Sequence, residues 1–183
     1  ENPTTSVILP FLSMLLNSDF LRTLFTSAVQ YWNTRRYRGT YKVDAHVATL
    51  DIVNNTGRVA IYTKRQHVTF LQDNVFAIQD QAWGDGDVFA SYRCTPGIAV
   101  DRYKEGYRWK ILVSLRATRN RGDKEEFLVE RGIKDGFTRP IGNFQTQIDH
   151  PTEDLRISVI FPATRYPRLV TAIEQNLKRS MVL

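Results

Sequence analysis

Alternation of apolar and polar residues dominates the chain from Tyr37 to Phe161. β-Branched and aromatic residues alternate there with charged ones, and glycine-bearing turn signals interrupt the alternation at 54–57, 84–87, 105–106, 121–123 and 135–136. Because successive side chains of a strand point to opposite faces, a period of two buries one face of a sheet. Glycine supplies the positive φ that tight hairpins need. The pattern therefore predicts a meandering antiparallel, mainly β domain.

The runs between these turns predict eight or nine strands. Their expected positions are 39–53, 58–71, 75–82, 88–94, 98–103, 107–117, 124–132, 143–149 and 155–161. In the first run Val43, Ala45 and Val47 share one face, whereas Leu50 and Ile52 share the other. Such a change of parity requires a β-bulge or a bend. The number and spacing of strands are typical of an antiparallel β-sandwich or a β-barrel, and the pattern does not distinguish the two.

The first 36 residues follow a helical pattern instead. Their apolar residues fall on one stripe of an amphipathic helix over about 19–33, and a shorter helix is expected over 4–16. We therefore predict an N-terminal helical segment, residues 1–36, that packs on the β domain of residues 37–183 or on a missing neighbour. Formation of a homo-oligomer through the same apolar stripe is an alternative.

The last residues of the chain, 168–183, satisfy both periods. Leu169, Ile173 and Leu177 are spaced for a helix, whereas the alternation around Val170 suits a terminal strand. A helix is the favoured interpretation of this segment.

Charge and cysteine content restrict the class of protein. The formal net charge is +6, and 18 of the 25 basic residues are arginine, whose planar guanidinium favours bidentate contacts with carboxylate or phosphate. An anionic small molecule or a nucleotide is therefore the expected partner. Nucleic acid is a weaker alternative because no long block of like charge occurs. The one cysteine, Cys94, cannot form an internal disulfide, which indicates a reducing, cytoplasmic location.

Basic and aromatic residues are densest where the predicted helix leads into the first strand. Arginine contacts phosphate or carboxylate groups, and aromatic rings provide stacking platforms for bases. The predicted ligand-binding residues are Arg35, Arg36, Arg38 and Tyr41 of this group, with Lys64 and Arg65 of the partner strand in the first hairpin. The neighbouring Trp32 resembles an interfacial anchor, so docking to a membrane surface through residues 1–38 is an alternative.

No motif for catalysis, metal binding or cofactor binding has comparable strength. The chain contains no P-loop, dinucleotide fingerprint, nucleophile elbow or zinc-finger spacing, so no catalytic residue, metal ligand or cofactor is predicted. An enzymatic alternative is an active site inside a β-barrel, lined by carboxylates or by His46 and His67, whose strands pair across the 54–57 turn. A non-catalytic module is favoured over an enzyme.

Two stretches indicate a role by resemblance. They read TKRQHVTFLQDN at 63–74 and QAWGDGDVFASYRC at 81–94, and they resemble one β-rich unit of the kind attached to bacterial multidomain signalling or defence proteins. We therefore expect a non-catalytic ligand- or partner-binding β domain, a sensor or interaction module, within a larger intracellular bacterial protein. Its other partners would be domains of that same protein. An enzyme without a linear motif and a structural, oligomerising or membrane-docking module are the alternatives.

Overall fold

The computed structural model describes residues 39–174 and 179–182, and these residues form a mainly β unit that begins at Thr40. The predicted helical segment 1–36 and its boundary lie outside the described residues. The strands are β1 (Tyr41–Ile52), β2 (Val59–Phe70), β3 (Val75–Ala82), β4 (Asp87–Thr95), β5 (Ile98–Glu105), β6 (Arg108–Arg119), β7 (Lys124–Lys134), β8 (Thr152–Ile160), β9 (Thr171–Glu174) and β10 (Arg179–Val182). The prediction of a mainly β fold is confirmed.

The strands form three sheets. The largest has five strands in the order β4-β7-β2-β1-β8, and the second has three in the order β3-β6-β5. The β9–β10 hairpin stands as a separate two-stranded sheet. Neighbouring strands are antiparallel except for β1 and β8, which run parallel. Within the described residues no sheet closes on itself, so the β-barrel alternative is wrong.

The turn between β1 and β2 shows how local sequence sets the register of the largest sheet. Gly57 has a φ of 69°, and its N–H donates to the carbonyl of Asn54 at 3.1 Å. The Asn54 side chain accepts from the backbone N–H of Arg58 at 3.0 Å. Asparagine and glycine at these positions stabilise a tight turn because they satisfy its hydrogen bonds and its left-handed backbone.

A β-bulge in β1 accounts for the parity change predicted in this strand. The pairing with β2 shifts between Val43 and Ala45. A bulge is therefore present in this strand, but at Val43–Ala45 and not between Val47 and Leu50, where the sequence pattern places the change of parity. The bulge follows directly after Val43. Val43 therefore shares the buried face with Leu50 and Ile52, while Ala45 and Val47 lie on the other face. The predicted grouping of Val43 with Ala45 and Val47 is wrong.

Two predicted elements differ from the structure. Residues 143–149 form no strand, although Phe144 and Thr146 alternate with exposed neighbours as strand residues do. The favoured helix over 168–183 is also wrong, since β9 and β10 pair with each other there; residues 175–178 lie outside the described chain. Pairing between the two short strands satisfies the backbone that a helix would have satisfied internally.

Buried apolar residues form two clusters. The larger draws residues such as Val68 and Phe127 from the five-stranded sheet and Ile111 and Val113 from the three-stranded sheet. The smaller cluster consists of residues near the β1–β2 turn, namely Ala48, Leu50, Ile52, Ala60 and Tyr62. The two sheets therefore share one core, and the second cluster extends along the largest sheet. Among the described residues no helix is long and apolar enough to cross a membrane.

Candidate ligand-binding site

Polar side chains are buried between the two apolar clusters. We call them the polar band, and its members are His46 in β1, Lys64 and Gln66 in β2, Asp80 in β3 and Arg131 in β7. The exposed fraction is 3% for His46, 6% for Asp80 and 9% for Arg131. Their inward direction follows from the period of two, since Lys64 alternates along β2 with exposed Arg65 and stands in phase with buried Tyr62. The sheet thus buries a row of polar groups within an apolar face.

An ion pair joins the two sheets at the centre of the polar band. The Nζ of Lys64 donates to Oδ1 of Asp80 at 2.5 Å, and the hydroxyl of Tyr92 donates to Oδ2 at 3.2 Å. Burial opposes the charge of Lys64, but the Asp80 carboxylate, together with Tyr62 and Tyr41, holds the pKa of Lys64 above its ordinary value. Burial would raise the pKa of Asp80, whereas Lys64 and then Arg131 lower it, with a net lowering. Both groups are therefore ionised at neutral pH.

Arg131 is the second cation of the polar band. It lies opposite Tyr62 in the pairing of β2 with β7, and its guanidinium carbon is 4.2 Å from the centre of the Tyr62 ring. Its Nη1 donates to the carbonyl of Gln81 at 3.4 Å. Its buried Nε has no hydrogen-bond partner, and no carboxylate of the described chain lies within 4.0 Å of the guanidinium. The fork of Arg131 is thus positioned by stacking and is not neutralised by a contacting acid.

His46 contributes a neutral ring to the polar band. Its Nδ1 lies 3.1 Å from Nε2 of Gln66, which faces it across the β1–β2 pair. An amide nitrogen can only donate, so Nδ1 accepts and the ring proton resides on Nε2. Burial lowers the pKa of His46 to about 4. The buried Nε2 has no partner within the described chain and is a donor without an acceptor.

The other buried titratable groups near the band are uncharged. Burial raises the pKa of Tyr41 to about 12 and that of Cys94 to about 11. Burial also raises the pKa of Tyr92 and lowers the pKa of His150. At neutral pH the buried region therefore contains two cations, Lys64 and Arg131, and one carboxylate. The buried charge is positive.

A cavity of about 490 Å³ opens beside the polar band. All five residues of the band line it, together with the aromatic residues Tyr41, Tyr62, Trp83, Phe137 and Phe144. The volume falls within the range of about 300–1,000 Å³ that is usual for small-molecule sites. Aromatic surfaces combined with a few buried polar groups are also typical of such sites.

One wall of the cavity is residues 137–150, which we call the covering segment. At its two ends the backbone is fixed, since the N–H of Phe137 donates to Gly57 and the carbonyl of Pro151 accepts from Val43. Between these ends no described residue makes a backbone–backbone hydrogen bond. Side chains hold it instead. The contacts are Trp83 to Gln145 at 3.3 Å, Arg139 to Asp85 at 3.2 Å, Gln81 to Asp149 and Arg108 to Gln147.

The structure brings two of the predicted site residues together and separates a third. Tyr41 and Lys64 both line the cavity. Arg65 lies on the opposite face of β2, where its Nε is 3.3 Å from Oε1 of Glu126. Neighbouring strand residues point to opposite faces, so Lys64 and Arg65 do not share a site. The predicted residues Arg35, Arg36 and Arg38 lie outside the described chain.

The histidine pair considered as a metal or catalytic site is not formed. His46 pairs with Gln66, and His67 pairs with Ala45, so the two imidazoles lie on opposite faces of the sheet. His67 is half exposed beside Glu126, at 3.6 Å. The described residues contain no group of three or more histidine, cysteine or acidic side chains placed to hold a metal ion.

Sequence reasoning missed Asp80, Arg131 and Gln66 as site residues. Asp80 meets Lys64 only through the packing of β3 against the largest sheet, and Arg131 enters the polar band only through the pairing of β7 with β2. A signal was present in the pattern itself. Lys64 and Arg131 stand in phase with the buried positions of their strands, and a charge in an apolar phase is unusual unless it is paired or functional.

Comparison with known proteins assigns no family. No model of a known protein family matches the chain, and no curated protein matches it. The cavity and the polar band are therefore the features that indicate a function.

Proposed function

We propose that this chain is a non-catalytic ligand-binding β domain whose small-molecule ligand occupies the cavity beside the polar band. The shared core supports a β-sandwich arrangement in which the two sheets hold the site rigidly between them. Following the resemblance noted above, the domain would act as a sensor or interaction module of a larger bacterial signalling or defence protein in the cytoplasm. Nucleotides are candidate ligands.

One observation carries this proposal. Two residues that line the cavity each have a buried polar atom without a partner in the described chain, namely His46 at Nε2 and Arg131 at Nε. A buried donor without an acceptor costs free energy of about 1–3 kcal/mol, so such groups in a native protein call for an explanation. A ligand that accepts from them provides one. Tyr92 and Cys94, whose pKa values are raised by burial, favour binding over chemistry because a nucleophile needs its deprotonated form.

The test is a ligand screen that reports on the cavity. A ligand that binds the folded state raises the melting temperature by mass action. We expect a thermal-shift screen of nucleotides and small metabolites to give at least one stabilising compound. Gly142→Trp should abolish that shift, because Gly142 lines the cavity and a Cβ there meets only Cδ1 of Phe137, at 3.8 Å.

Ile61→Trp is the matched control. Ile61 is 45% exposed in β2 and lies outside the cavity lining, so the same bulky residue there should leave the ligand-induced shift unchanged. Circular dichroism of both variants checks that the sheets persist. A shift that survives in folded Gly142→Trp, or a screen without any stabilising compound, contradicts the proposal.

The predicted basic surface is a separate part of this proposal. Arg35, Arg36 and Arg38 would add long-range attraction for an anionic ligand, and attraction of this kind falls steeply with salt. Neutralising Arg36 and Arg38 together should therefore weaken binding at low salt and have little effect at high salt. Equal loss at all salt concentrations would contradict an electrostatic role.

A further inference from the structure

We infer that the ligand of this cavity is a flat aromatic or heteroaromatic oxyanion, a carboxylate or a phosphate attached to a ring, held by the fork of Arg131. The inference rests on the proposed function and deepens it by naming the chemical class and the anchoring residue. It follows from the distribution of charge in the polar band, from the orientation of Arg131, and from the aromatic lining.

The polar band contains more buried positive charge than negative charge. Lys64 and Arg131 share one buried carboxylate, and both oxygens of Asp80 already accept hydrogen bonds, from Lys64 and Tyr92. Arg131 is thus a buried cation without a contacting counterion in the described chain. A buried charge is tolerated when an opposite charge accompanies it. The base of the cavity is therefore suited to one further negative charge.

One edge of the Arg131 guanidinium is available to a ligand. Nη1 of Arg131 donates to the carbonyl of Gln81, and stacking on Tyr62 fixes the guanidinium plane. The edge formed by Nε and Nη2 has no protein acceptor among the described residues. Two parallel N–H groups at such an edge match the two oxygens of a carboxylate or phosphate. The recognition is therefore bidentate.

The aromatic lining of the cavity is suited to the rest of the ligand. Trp83, Phe137 and Phe144 line the same cavity, and the Phe144 ring lies 5.7 Å from that of Tyr62. Flat apolar surfaces such as these favour a planar ring over a flexible chain, since offset stacking and edge contacts are specific to aromatic partners. An aromatic ring bearing one oxyanion satisfies both parts of the site.

Acidic residues at the rim do not cancel the charge at the base. Asp85 is paired with Arg139 at 3.2 Å, and both side chains are mostly exposed. Asp149 is exposed and accepts from the side chains of Gln81 and Gln147. Exposed charges are screened by water and salt, whereas the charge of Arg131 is buried. The attraction for an anion is thus strongest at the inner end of the cavity.

The experiment compares matched probes by calorimetry with the full chain. Benzoate is compared with benzamide, and phenyl phosphate with phenol, so each pair differs in the oxyanion and the two pairs separate carboxylate from phosphate. We expect one anionic probe to bind at least about tenfold more tightly than its neutral partner, which corresponds to about 1.4 kcal/mol. Arg131→Gln should remove this preference, and Arg131→Lys, which keeps the charge without the fork, should reduce it.

Arg93→Gln is the matched control, since Arg93 is an exposed arginine in β4 that does not line the cavity, and it should preserve the preference. Equal binding of both members of each pair to the wild type overturns the inference while leaving the cavity as a ligand site. A preference that survives in folded Arg131→Gln also overturns it. If Arg131→Gln fails to fold, the wild-type pairs and Arg131→Lys decide. Failure of all four probes overturns the inference, and the Gly142→Trp screen then decides the proposed function separately.

Discussion

Two ion pairs at adjacent positions of β2 lie in contrasting environments. Lys64 and Asp80 are buried, with side-chain exposures of 15% and 6%, and their atoms are 2.5 Å apart. Arg65 and Glu126 lie on the outer face, with exposures of 55% and 47%, at 3.3 Å. The pairs have the same charges and come from neighbouring residues. From this difference in exposure we expect the face of the strand, more than the chemistry of the side chains, to set how strongly a pair is coupled to folding.

The contrast follows from solvation. Water screens the exposed pair and solvates each partner after the other is removed, so such a pair contributes about 0–1 kcal/mol. In the buried pair each charge depends on the other, and loss of one partner leaves the second uncompensated. The inner face thus concentrates the stability risk, and it is also the face to which we assign the proposed ligand.

Removal of the buried carboxylate should have the largest effect. Asp80→Asn leaves Lys64 charged and buried beside Arg131, and we expect a loss of about 3–5 kcal/mol in the free energy of unfolding. Urea denaturation followed by circular dichroism measures it. Lys64→Met added to Asp80→Asn removes one of the two cations, so the double variant should recover part of the loss. A loss below about 1 kcal/mol for Asp80→Asn would mean that the buried pair contributes no more to stability than an exposed pair does.

Acidification should have the second-largest effect on stability, through buried His46 on the inner face. Burial lowers the pKa of His46 to about 4 from an ordinary 6.5, so the unfolded state binds more protons between these values and stability falls as the pH drops through that window. His46 should account for at most about 3 kcal/mol, and His150, whose pKa is also lowered, acts in the same direction. Urea denaturation as a function of pH tests this.

The variant that sharpens this prediction is His46→Gln. Glutamine does not titrate in this range, so the slope of stability against pH should become shallower between pH 6.5 and about 4. An unchanged slope would show that another group carries the acid sensitivity. The slope is the decisive quantity, since the substitution also changes stability at neutral pH.

The outer pair should give the smallest effect. Arg65→Gln or Glu126→Gln should change the free energy of unfolding by less than about 1 kcal/mol. The change should be present at about 0.01 M salt and should disappear at about 1 M salt, because salt screens exposed charges. Chemical denaturation at the two salt concentrations measures this. An effect as large as that of Asp80→Asn would mean that the outer face is covered in the folded protein and that the comparison fails.

Local signals predicted the strands that are bounded by tight turns. The Asn54–Gly57 turn and the alternation on either side of it specify β1 and β2 within a few residues, because the turn chemistry and the buried face agree. Residues 143–149 alternate in the same way, yet they cover the cavity without pairing to a strand. Alternation reports which side is buried, and it does not report whether a neighbouring strand supplies hydrogen bonds.

Part of the proposed site follows from local sequence for the same physical reason. The density of basic and aromatic residues indicates Tyr41 and Lys64, and both line the cavity. Arg65 was grouped with Lys64 because the two are adjacent in sequence, whereas adjacent strand residues face apart. Asp80 and Arg131 join Lys64 only after the sheets pack and β7 pairs with β2, which no local pattern encodes.

The parallel pairing of β8 with β1 has a consequence for how the protein is made. Val43 of β1 lies beside Thr152 of β8, more than a hundred residues later in the chain. The β1–β2 hairpin can form as soon as it leaves the ribosome, but the entropy of closing so long a loop delays the β1–β8 pair. Thr152 also lines the cavity. A nascent chain therefore completes this cavity only after Ile160 has emerged.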